Sequence, residues 1–246
     1  PQDVLDREVP ESDVHFPVHS RSRGRMTGDS RLLERAAELL SNARHPVVVA
    51  GTQVWSCRAA TQLLAFVEKA QIPTYLNGAA RGCLPLDSPY AFSRSRKYAL
   101  ARADVVLILG TPFDFRLGYG SGIAAAAKTI QVDLDYSELC HNREVDVPIQ
   151  ADAAAVLESL TGCVSASGER ERWLVELRAR ETEFSAADSR FLHSDAIPIH
   201  PLRLAREIDA LLGEDSIVIV DGGDVVTMSA SVIRARRPGH WLDPGP

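Results

Sequence analysis

The chain has 246 residues, of which 45% are apolar and 24% are charged, a composition typical of a globular protein with room for one large domain or two small ones. The formal net charge of −6 argues against a nucleic-acid surface or an anionic membrane as a partner. No apolar run approaches the roughly 20 residues of a membrane span, and residues 1–6 lack the basic and apolar regions of a signal peptide, so we expect a cytoplasmic protein with no membrane segment.

A connector, a helix and a strand are the first predicted elements. Residues 1–28 are polar and show little periodicity, which predicts a connector laid over a surface. Asp29 or Ser30 is typical of a helix N-cap, and the helix that follows has one apolar face. That face consists of Leu32, Leu33, Ala36, Ala37, Leu39 and Leu40. Residues 46–50 are apolar and mostly β-branched, which predicts a buried strand ending at Gly51.

Helices and strands then alternate as far as residue 160. We predict helices at residues 57–70, 91–103 and 152–160, strands at residues 72–76, 104–109, 129–132 and 147–150, and a Gly-rich turn at residues 77–82. Short apolar strands that alternate with helices predict parallel crossovers. We therefore expect residues 29–165 to form a doubly wound, mostly parallel, Rossmann-like α/β sheet with helices on both faces.

The rest of the chain is predicted to be a helical linker and the start of a second unit. Residues 166–200 contain a dense run of mixed charges at helical spacing, which favours a solvated connector helix over a binding surface. A helix at residues 202–212 leads to a strand at residues 217–220 and to Asp221-Gly222-Gly223-Asp224, where two glycines let the backbone approach a ligand. We predict no second strand after it, so residues 201–246 would form one side of a site in an incomplete second α/β unit.

Small and acidic residues follow the strands of the predicted sheet. Because the carboxyl ends of parallel strands share one edge, these residues should lie together there. Glycines and small hydroxyl residues admit a phosphate backbone, and an acid after a late strand accepts hydrogen bonds from ribose or adenine. The residues are Gly51, Thr52, Asn77, Gly78, Gly110, Thr111, Asp133 and Asp135. The pattern favours a nucleotide, although a glycine at a strand end is about equally often just the point where the strand stops.

Other signatures of enzyme chemistry are weak in this sequence. No G-x-G-x-x-G follows the first strand, which leaves little support for an NAD-dependent dehydrogenase, and no serine has the context of a hydrolase nucleophile. Arg116 and Arg81 are of the type that binds phosphate. The alternative for each is a salt bridge, which for Arg116 would be with Asp114. The seven histidines and four cysteines are dispersed, so we predict no metal site, no catalytic histidine and buried, reduced thiols.

At this point the order of several short motifs carries a resemblance. Together they resemble the central domain of thiamine diphosphate enzymes of the acetolactate synthase type. The motifs are Ala50-Gly51-Thr52, Asn77-Gly78 with Arg81-Gly82, Leu109-Gly110-Thr111-Pro112-Phe113-Asp114-Phe115-Arg116, Val132-Asp133-Leu134-Asp135 with Glu138, and Ile149-Gln150-Ala151-Asp152. Residues 1–5 are similar to the exit from the family's first domain, and residues 220–224 and 241–246 resemble the start of its third. The resemblance thus makes residues 1–28 a connector from a missing first domain and residues 201–246 the start of a truncated cofactor-binding domain.

The resemblance implies thiamine diphosphate as the cofactor, with Mg²⁺ bound through a missing part of the third domain. No Gly-Asp-Gly followed some tens of residues later by Asn occurs in this chain. Gly222, Gly223 and Asp224 match the loop that in the family lies against the diphosphate and the thiazolium, and a turn N-capped by Asp224 is compatible with that role. The family's activating glutamate would precede Pro1, so we assign no catalytic residue to this chain.

The central domain of this family holds FAD in some members and ADP or nothing in others. By resemblance, a pocket for FAD or ADP would include the strand-end residues given above together with Arg116 and Asp152. The chain departs from the acetolactate synthase pattern at three places. The turn at Gly51-Thr52-Gln53 is less rich in glycine. Phe115 replaces an acid, and His141 replaces a lysine. The resemblance therefore leaves open whether FAD, ADP or neither binds.

The implied function belongs to a complete enzyme, a homo-oligomer of two or four chains. It would decarboxylate a small 2-oxo acid such as pyruvate and transfer the resulting carbanion to a second carbonyl. A lyase similar to oxalyl-CoA decarboxylase or 2-hydroxyacyl-CoA lyase is the neighbouring alternative, and a non-catalytic nucleotide-binding or assembly module is the alternative from another class. We expect the chain alone to be inactive and residues from 197 onward to be its least stable part.

Overall fold

A computed structural model describes residues 2–18 and 24–243. Two parts of the predicted connector, Pro1 and residues 19–23, lie outside the described residues. The same is true of residues 244–246, the last part of the segment that resembles the start of the family's third domain. Within residues 2–18 the chain forms a short helix, α1 (Gln2–Leu5), and one 3₁₀ turn, and every residue there is exposed. This part of the connector therefore packs against no core.

Six strands form the central sheet. They are β1 (Pro46–Ala50), β2 (Thr74–Leu76), β3 (Ala91–Phe92), β4 (Val105–Leu109), β5 (Lys128–Asp133) and β6 (Val147–Gln150). Their order across the sheet is β3-β2-β1-β4-β5-β6, and all neighbouring pairs are parallel. This confirms the predicted doubly wound α/β fold and puts the topological switch point between β1 and β4.

Helices flank the strands and pack on the sheet. They are α2 (Ser30–Asn42), α3 (Thr52–Ser56), α4 (Ala60–Ala70), α5 (Arg96–Leu100) and α6 (Ala153–Cys163). Asp29 caps α2 by accepting hydrogen bonds from two backbone N–H groups of its first turn, as predicted. Asp152 caps α6 in the same way. Both helices therefore begin where an acidic side chain can satisfy their free donors.

The sheet has an apolar core on each face, because successive side chains of a strand point to opposite sides. Val48 and Leu107 lie in the core that includes α2, α4 and α6. Val47 and Val106 lie in the other core, with Trp173. All five residues of β1 and of β4 are buried, as expected for the middle strands of a parallel sheet.

The long helix α7 (Gly168–Leu192) follows the central sheet. The predicted helix is confirmed, but the prediction that it is a solvated connector is wrong for its first part. Trp173 and Leu177 are 1% and 0% exposed and complete the second core. Arg170, also buried, reaches the ends of α2 and α4. The apolar side of the first part of α7 is therefore a packing surface.

A small second unit lies after α7. It contains α8 (Pro201–Leu211), β7 (Val218–Ile219), α9 (Gly223–Val232) and β8 (Trp241–Leu242). The two strands pair in parallel, so the prediction that no second strand follows the first was wrong. A strand of two residues has no alternation from which it could be recognised. Within the described residues no helix is both long and apolar enough to cross a membrane.

Two predicted helices differ from the structure. Residues 57–70 were expected to form one helix, but residues 57–59 lie in a turn in which Arg58 has φ +54°, and α4 begins only at Ala60. Residues 91–103 were also expected to form one helix, whereas Ala91–Phe92 is an edge strand paired with β2 and the helix is limited to Arg96–Leu100. Pairing with a neighbouring strand here outweighs the local preference of alanine for helix.

Candidate functional site

The loops at the carboxyl edge of the sheet lie together, as the sequence predicts. Asn77 Nδ2 donates to Thr111 Oγ1 over 3.5 Å, which links the loops after β2 and β4. The backbone N–H of Ala79 donates to Thr52 Oγ1 over 3.4 Å, which links the loops after β2 and β1. The hydroxyl and amide groups that were candidates for nucleotide contacts are therefore in contact with one another.

Two glycines at this edge let the loops approach each other, and neither faces an open space. A Cβ atom on Gly51 would lie 2.2 Å from Cβ of Thr111, and one on Gly110, whose φ is +63°, would lie 2.3 Å from Cβ of Gln53. Such separations are impossible for any residue with a side chain. The glycines are thus required by close packing of the β1 and β4 loops across the switch point.

Gln53 fills the remaining space at the switch point. Its Nε2 donates to Asp133 Oδ1 over 2.6 Å, and its Oε1 accepts from the backbone N–H of Leu134 over 3.0 Å. Asp133 is 1% exposed, and burial raises the pKa of its carboxyl group, an effect that hydrogen bonds from Asp135 N–H and Gln53 oppose. Sequence reasoning missed this role of Gln53, although its position in the shortened glycine turn was a signal.

The other predicted nucleotide contacts also have partners within the chain. Asp135 accepts from the backbone and hydroxyl of Ser137 over 2.9 and 2.7 Å. Arg116 forms a two-point ion pair with Asp114, at 2.8 and 2.5 Å. Asp152 is occupied as the cap of α6. A nucleotide at the switch point would therefore have to replace the contacts that these three side chains make within the chain.

The loop Gly222-Gly223-Asp224 is open to solvent. Gly222 is the N-cap of α9, and its N–H bonds to the Asp221 carboxylate over 2.7 Å. Asp224 lies inside the first turn of α9, so the prediction that it caps the helix is wrong. A Cβ on Gly222 or Gly223 would meet no atom within 4 Å. The N-terminus of α9 thus faces free space with its backbone donors available to an anion.

Arg81 and Arg96 both line a cavity beside the end of β2, and repulsion from Arg96 adds to the effect of burial in lowering the pKa of Arg81. The salt bridge weighed for Arg81 does not form within the part of the chain that the structure describes. Arg96 was not singled out from the sequence, although it belongs to the basic run Arg94-Ser95-Arg96-Lys97. Two arginines that line one cavity make its wall basic at this edge of the sheet.

Metal ligands and reactive thiols do not cluster. No group of three or more His, Cys, Asp or Glu side chains that could hold a metal ion occurs among residues 2–18 and 24–243. Burial raises the pKa of the Cys83 thiol to about 12, whereas Cys140 and Cys163 are exposed. The expectation of buried thiols is therefore wrong for those two cysteines.

Comparisons with known proteins place these features in a family context. The thiamine pyrophosphate enzyme central domain matches residues 33–160. The chain is 42% identical over 214 residues to the acetolactate synthase large subunit IlvG of Mycobacterium tuberculosis, a match that covers 87% of this chain and 39% of that protein. It is 35% identical over 219 residues to 2-hydroxyacyl-CoA lyase 2 of Danio rerio, covering 87% of this chain and 35% of that one. The chain thus spans less than half the length of these relatives.

Proposed function

Since this chain belongs to the thiamine pyrophosphate enzymes, whose central domain it contains at residues 33–160, we propose that it is part of a decarboxylating carboligase of the acetolactate synthase type. The observation that carries the proposal is the 42% identity to an acetolactate synthase large subunit over 214 residues. That alignment is longer than the central domain, so it also includes residues outside the sheet. The substrate class we propose is a small 2-oxo acid such as pyruvate.

We also propose thiamine diphosphate and Mg²⁺ as cofactors of the complete enzyme. Thiamine diphosphate supplies a carbanion that adds to the substrate carbonyl and an electron sink for the pair left by loss of carbon dioxide. The residues of this chain that would contact it are Gly222, Gly223 and Asp224. Their backbone donors at the start of α9 suit a diphosphate, and the absence of side chains on both glycines leaves room for it. For Mg²⁺ we propose ligands outside this chain.

FAD or ADP in the central domain stays a prediction. The contacts of Gln53 with Asp133 and Leu134 count against it at the switch point, because a nucleotide there would have to displace that side chain. A substitution of Asp152 by Ala would not test the pocket cleanly. Asp152 caps α6, and loss of that cap would by itself cost about 1 kcal/mol of stability.

We propose that residues 29–165 form the central domain, that residues 166–200 link it to the next domain, and that residues 201–246 begin the cofactor-binding domain. The contacts of α7 with the second core support counting the first part of the linker with the central domain. Assembly into a homo-oligomer of two or four chains and a cytoplasmic location remain predictions.

The second candidate is a lyase that cleaves 2-hydroxyacyl-CoA. It is favoured by the 35% identity to 2-hydroxyacyl-CoA lyase 2 over 219 residues. The two candidates would use the same cofactor, and both would break a carbon–carbon bond to a carbon that bears oxygen. They differ in whether the substrate carries coenzyme A. A non-catalytic nucleotide-binding or assembly role is the third candidate.

The test is an assay of acetolactate formation by the protein that the longest reading frame containing this chain encodes. The purified 246-residue chain is assayed beside it. Both are supplied with thiamine diphosphate and Mg²⁺. We expect acetolactate from pyruvate with the longer protein and none with the chain alone, because the chain lacks the metal motif. Cleavage of a 2-hydroxyacyl-CoA without acetolactate formation would favour the lyase. Carbon dioxide release by the chain alone would contradict our proposal that the ligands of Mg²⁺ lie outside this chain.

A further inference from the structure

Helix α9 is attached to the central domain at its carboxyl end and is free at its amino end. Val226 and Ala230 pack against the small core of the second unit. Residues 221–225, at the amino end, are exposed, and no hydrogen bond joins them to the central domain in the described part of the chain. The place of the amino end relative to the sheet therefore depends on what holds the rest of the helix.

Arg94, in the loop between β3 and α5, links the carboxyl end of α9 to the long helix α7. Its Nη2 donates to the carbonyl oxygen of Ser231 over 3.0 Å, and its Nη1 forms an ion pair with Asp188 of α7. The Ser231 carbonyl lies in the last turn of α9, where acceptors have no partner within the helix and where the helix dipole favours a cation. One guanidinium thus joins the loop, α7 and α9.

The loop that carries Arg94 is itself fixed on both sides of that residue. The backbone N–H groups of Ser93 and Ser95 donate to Glu181 Oε1 of α7 over 3.0 and 2.8 Å. The Ser95 hydroxyl donates to the same oxygen over 2.7 Å and is hydrogen-bonded to the Tyr75 hydroxyl over 2.7 Å. Hydrogen bonds to a carboxylate are among the stronger ones in proteins. Arg94 therefore extends from a backbone that is firmly attached to α7 and to β2.

Arg234 provides a second contact at the same end of α9. Its Nη2 donates to the carbonyl oxygen of Leu86, in the loop between β2 and β3, over 3.1 Å. Its backbone N–H donates to Asp209 of α8 over 3.2 Å. Because α9 has 10 residues and is about 15 Å long, any tilt about this held end has its largest effect at the amino end. The two arginine contacts together limit such a tilt.

We propose that Arg94 and Arg234 are positioning residues for the contacts of Gly222, Gly223 and Asp224 with thiamine diphosphate. They act through α9, by fixing its carboxyl end and thus the direction of the free N–H donors at its other end. Backbone donors must lie within about 0.5 Å of their best places to bind a ligand well. The inference rests on the proposed thiamine diphosphate contacts and adds that the central domain sets the geometry of a binding loop outside it.

The experiment measures the affinity of the longer protein for thiamine diphosphate by calorimetry in the presence of Mg²⁺. Arg94→Met and Arg234→Met each remove one of the two contacts, and each should raise the Kd about tenfold. Arg178→Met is the matched control. Arg178 extends from α7 over the ring of Phe92, 4.3 Å from its centroid, and donates to the carbonyl oxygen of Pro89, so its contacts lie within the central domain and α7. This substitution should lower the melting temperature and leave the Kd unchanged.

A second measurement needs no cofactor. In hydrogen exchange of the purified 246-residue chain, peptides from α9 should exchange faster in Arg94→Met and in Arg234→Met than in the wild type, with β4 unchanged. A purely stabilising role of the two arginines would lower the melting temperature without changing the Kd, because the affinity is measured on the folded protein. The two readouts therefore separate positioning from stability.

The outcomes also separate this inference from the proposed function. If the wild-type longer protein bound no thiamine diphosphate, the proposed function would be wrong, and this inference with it. If the wild type bound the cofactor and the Kd were unchanged in both variants, or raised equally in Arg178→Met, this inference alone would be wrong. If Arg94→Met does not fold, Arg234→Met decides the outcome.

Discussion

Arg170 shows how one charged residue stabilises two helices. It has no exposed surface, and its guanidinium donates to the carbonyl oxygens of Leu40 and Ala70, with a longer bond to Ser41 at 3.4 Å. These carbonyls belong to the last turns of α2 and α4, where backbone acceptors have no partner within the helix. They also form the negative ends of the helix dipoles, which favours a cation. Burial lowers the pKa of Arg170, so the carbonyls offset part of the cost of burying its charge.

The corresponding prediction is that Arg170→Met destabilises the chain. Loss of charge-assisted hydrogen bonds and exposure of unpaired carbonyls should lower the free energy of unfolding by about 2 kcal/mol. Urea denaturation followed by circular dichroism measures this. Arg172→Met is the control, because Arg172 is exposed on the same helix, and it should change stability by less than about 0.5 kcal/mol. Equal effects of the two substitutions would show that the Arg170 contacts do not stabilise the fold.

Among the elements, the segment that contains α8, β7, α9 and β8 depends on close backbone contact with the central domain. Gly82, after β2, has φ +87°, and a Cβ there would lie 2.2 Å from the carbonyl oxygen of Arg237. Arg94 donates to the carbonyl oxygen of Ser231, at the end of α9, over 3.0 Å. The ring of Trp241 meanwhile lies against Arg81. The segment is therefore held by contacts at the β2 and β3 loops.

We predict that Gly82→Ala loosens this segment. The added methyl group collides with backbone atoms that have no flexible end to move aside, so residues 201–243 should separate from the loops and be cut faster in limited proteolysis. Gly118→Ala is the control for strain alone: Gly118 has φ +57°, and the nearest atom to its Cβ would be Ser121 Oγ, at 3.3 Å. Both substitutions should cost about 1 kcal/mol in backbone strain. Equal cleavage rates in the two variants would contradict the docking contact.

Across the whole molecule, burial is uneven. All five residues of β4 are buried, and the sheet has a core on each face. In the small second unit, Val220, Ile233 and Trp241 are buried, but Ile219 is 70% exposed. Its two strands pair over only two residues each. Local opening costs less free energy where fewer apolar contacts are lost, so stability should fall from the sheet toward residue 243.

The measurement for this gradient is amide hydrogen exchange followed by mass spectrometry. Peptides from residue 197 onward should exchange faster than peptides from the central sheet, and β4 should be the most protected strand. The same peptides should be the first released by a protease. Protection of β7 equal to that of β4 would mean that the second unit is held as firmly as the sheet, and our assignment of the domain boundary would then be wrong.

The sequence by itself determined the fold class and much of the local structure. The strands Pro46–Ala50 and Val147–Gln150 have the predicted bounds, because short apolar runs bordered by turn residues are local signals. An N-cap at Asp29 or Ser30 was predicted for the same reason, and Asp29 provides it, since the acid and the donors that it satisfies are two and three residues apart. The glycines at the strand ends were also found, and parallel pairing was enough to bring them to one edge.

Only the tertiary structure decided what those edge residues do. Gln53 meets Asp133 across 80 residues of chain, and this contact closes the crevice that the glycines had suggested was open for a nucleotide. The edge strand at Ala91–Phe92 depends in the same way on a neighbour that the local pattern does not include. From the sequence, Arg81 was a candidate for phosphate binding with a salt bridge as the alternative, and Arg96 was not singled out at all. Whether a charge has a partner depends on the elements packed around it, and the packing here leaves these two arginines facing one cavity.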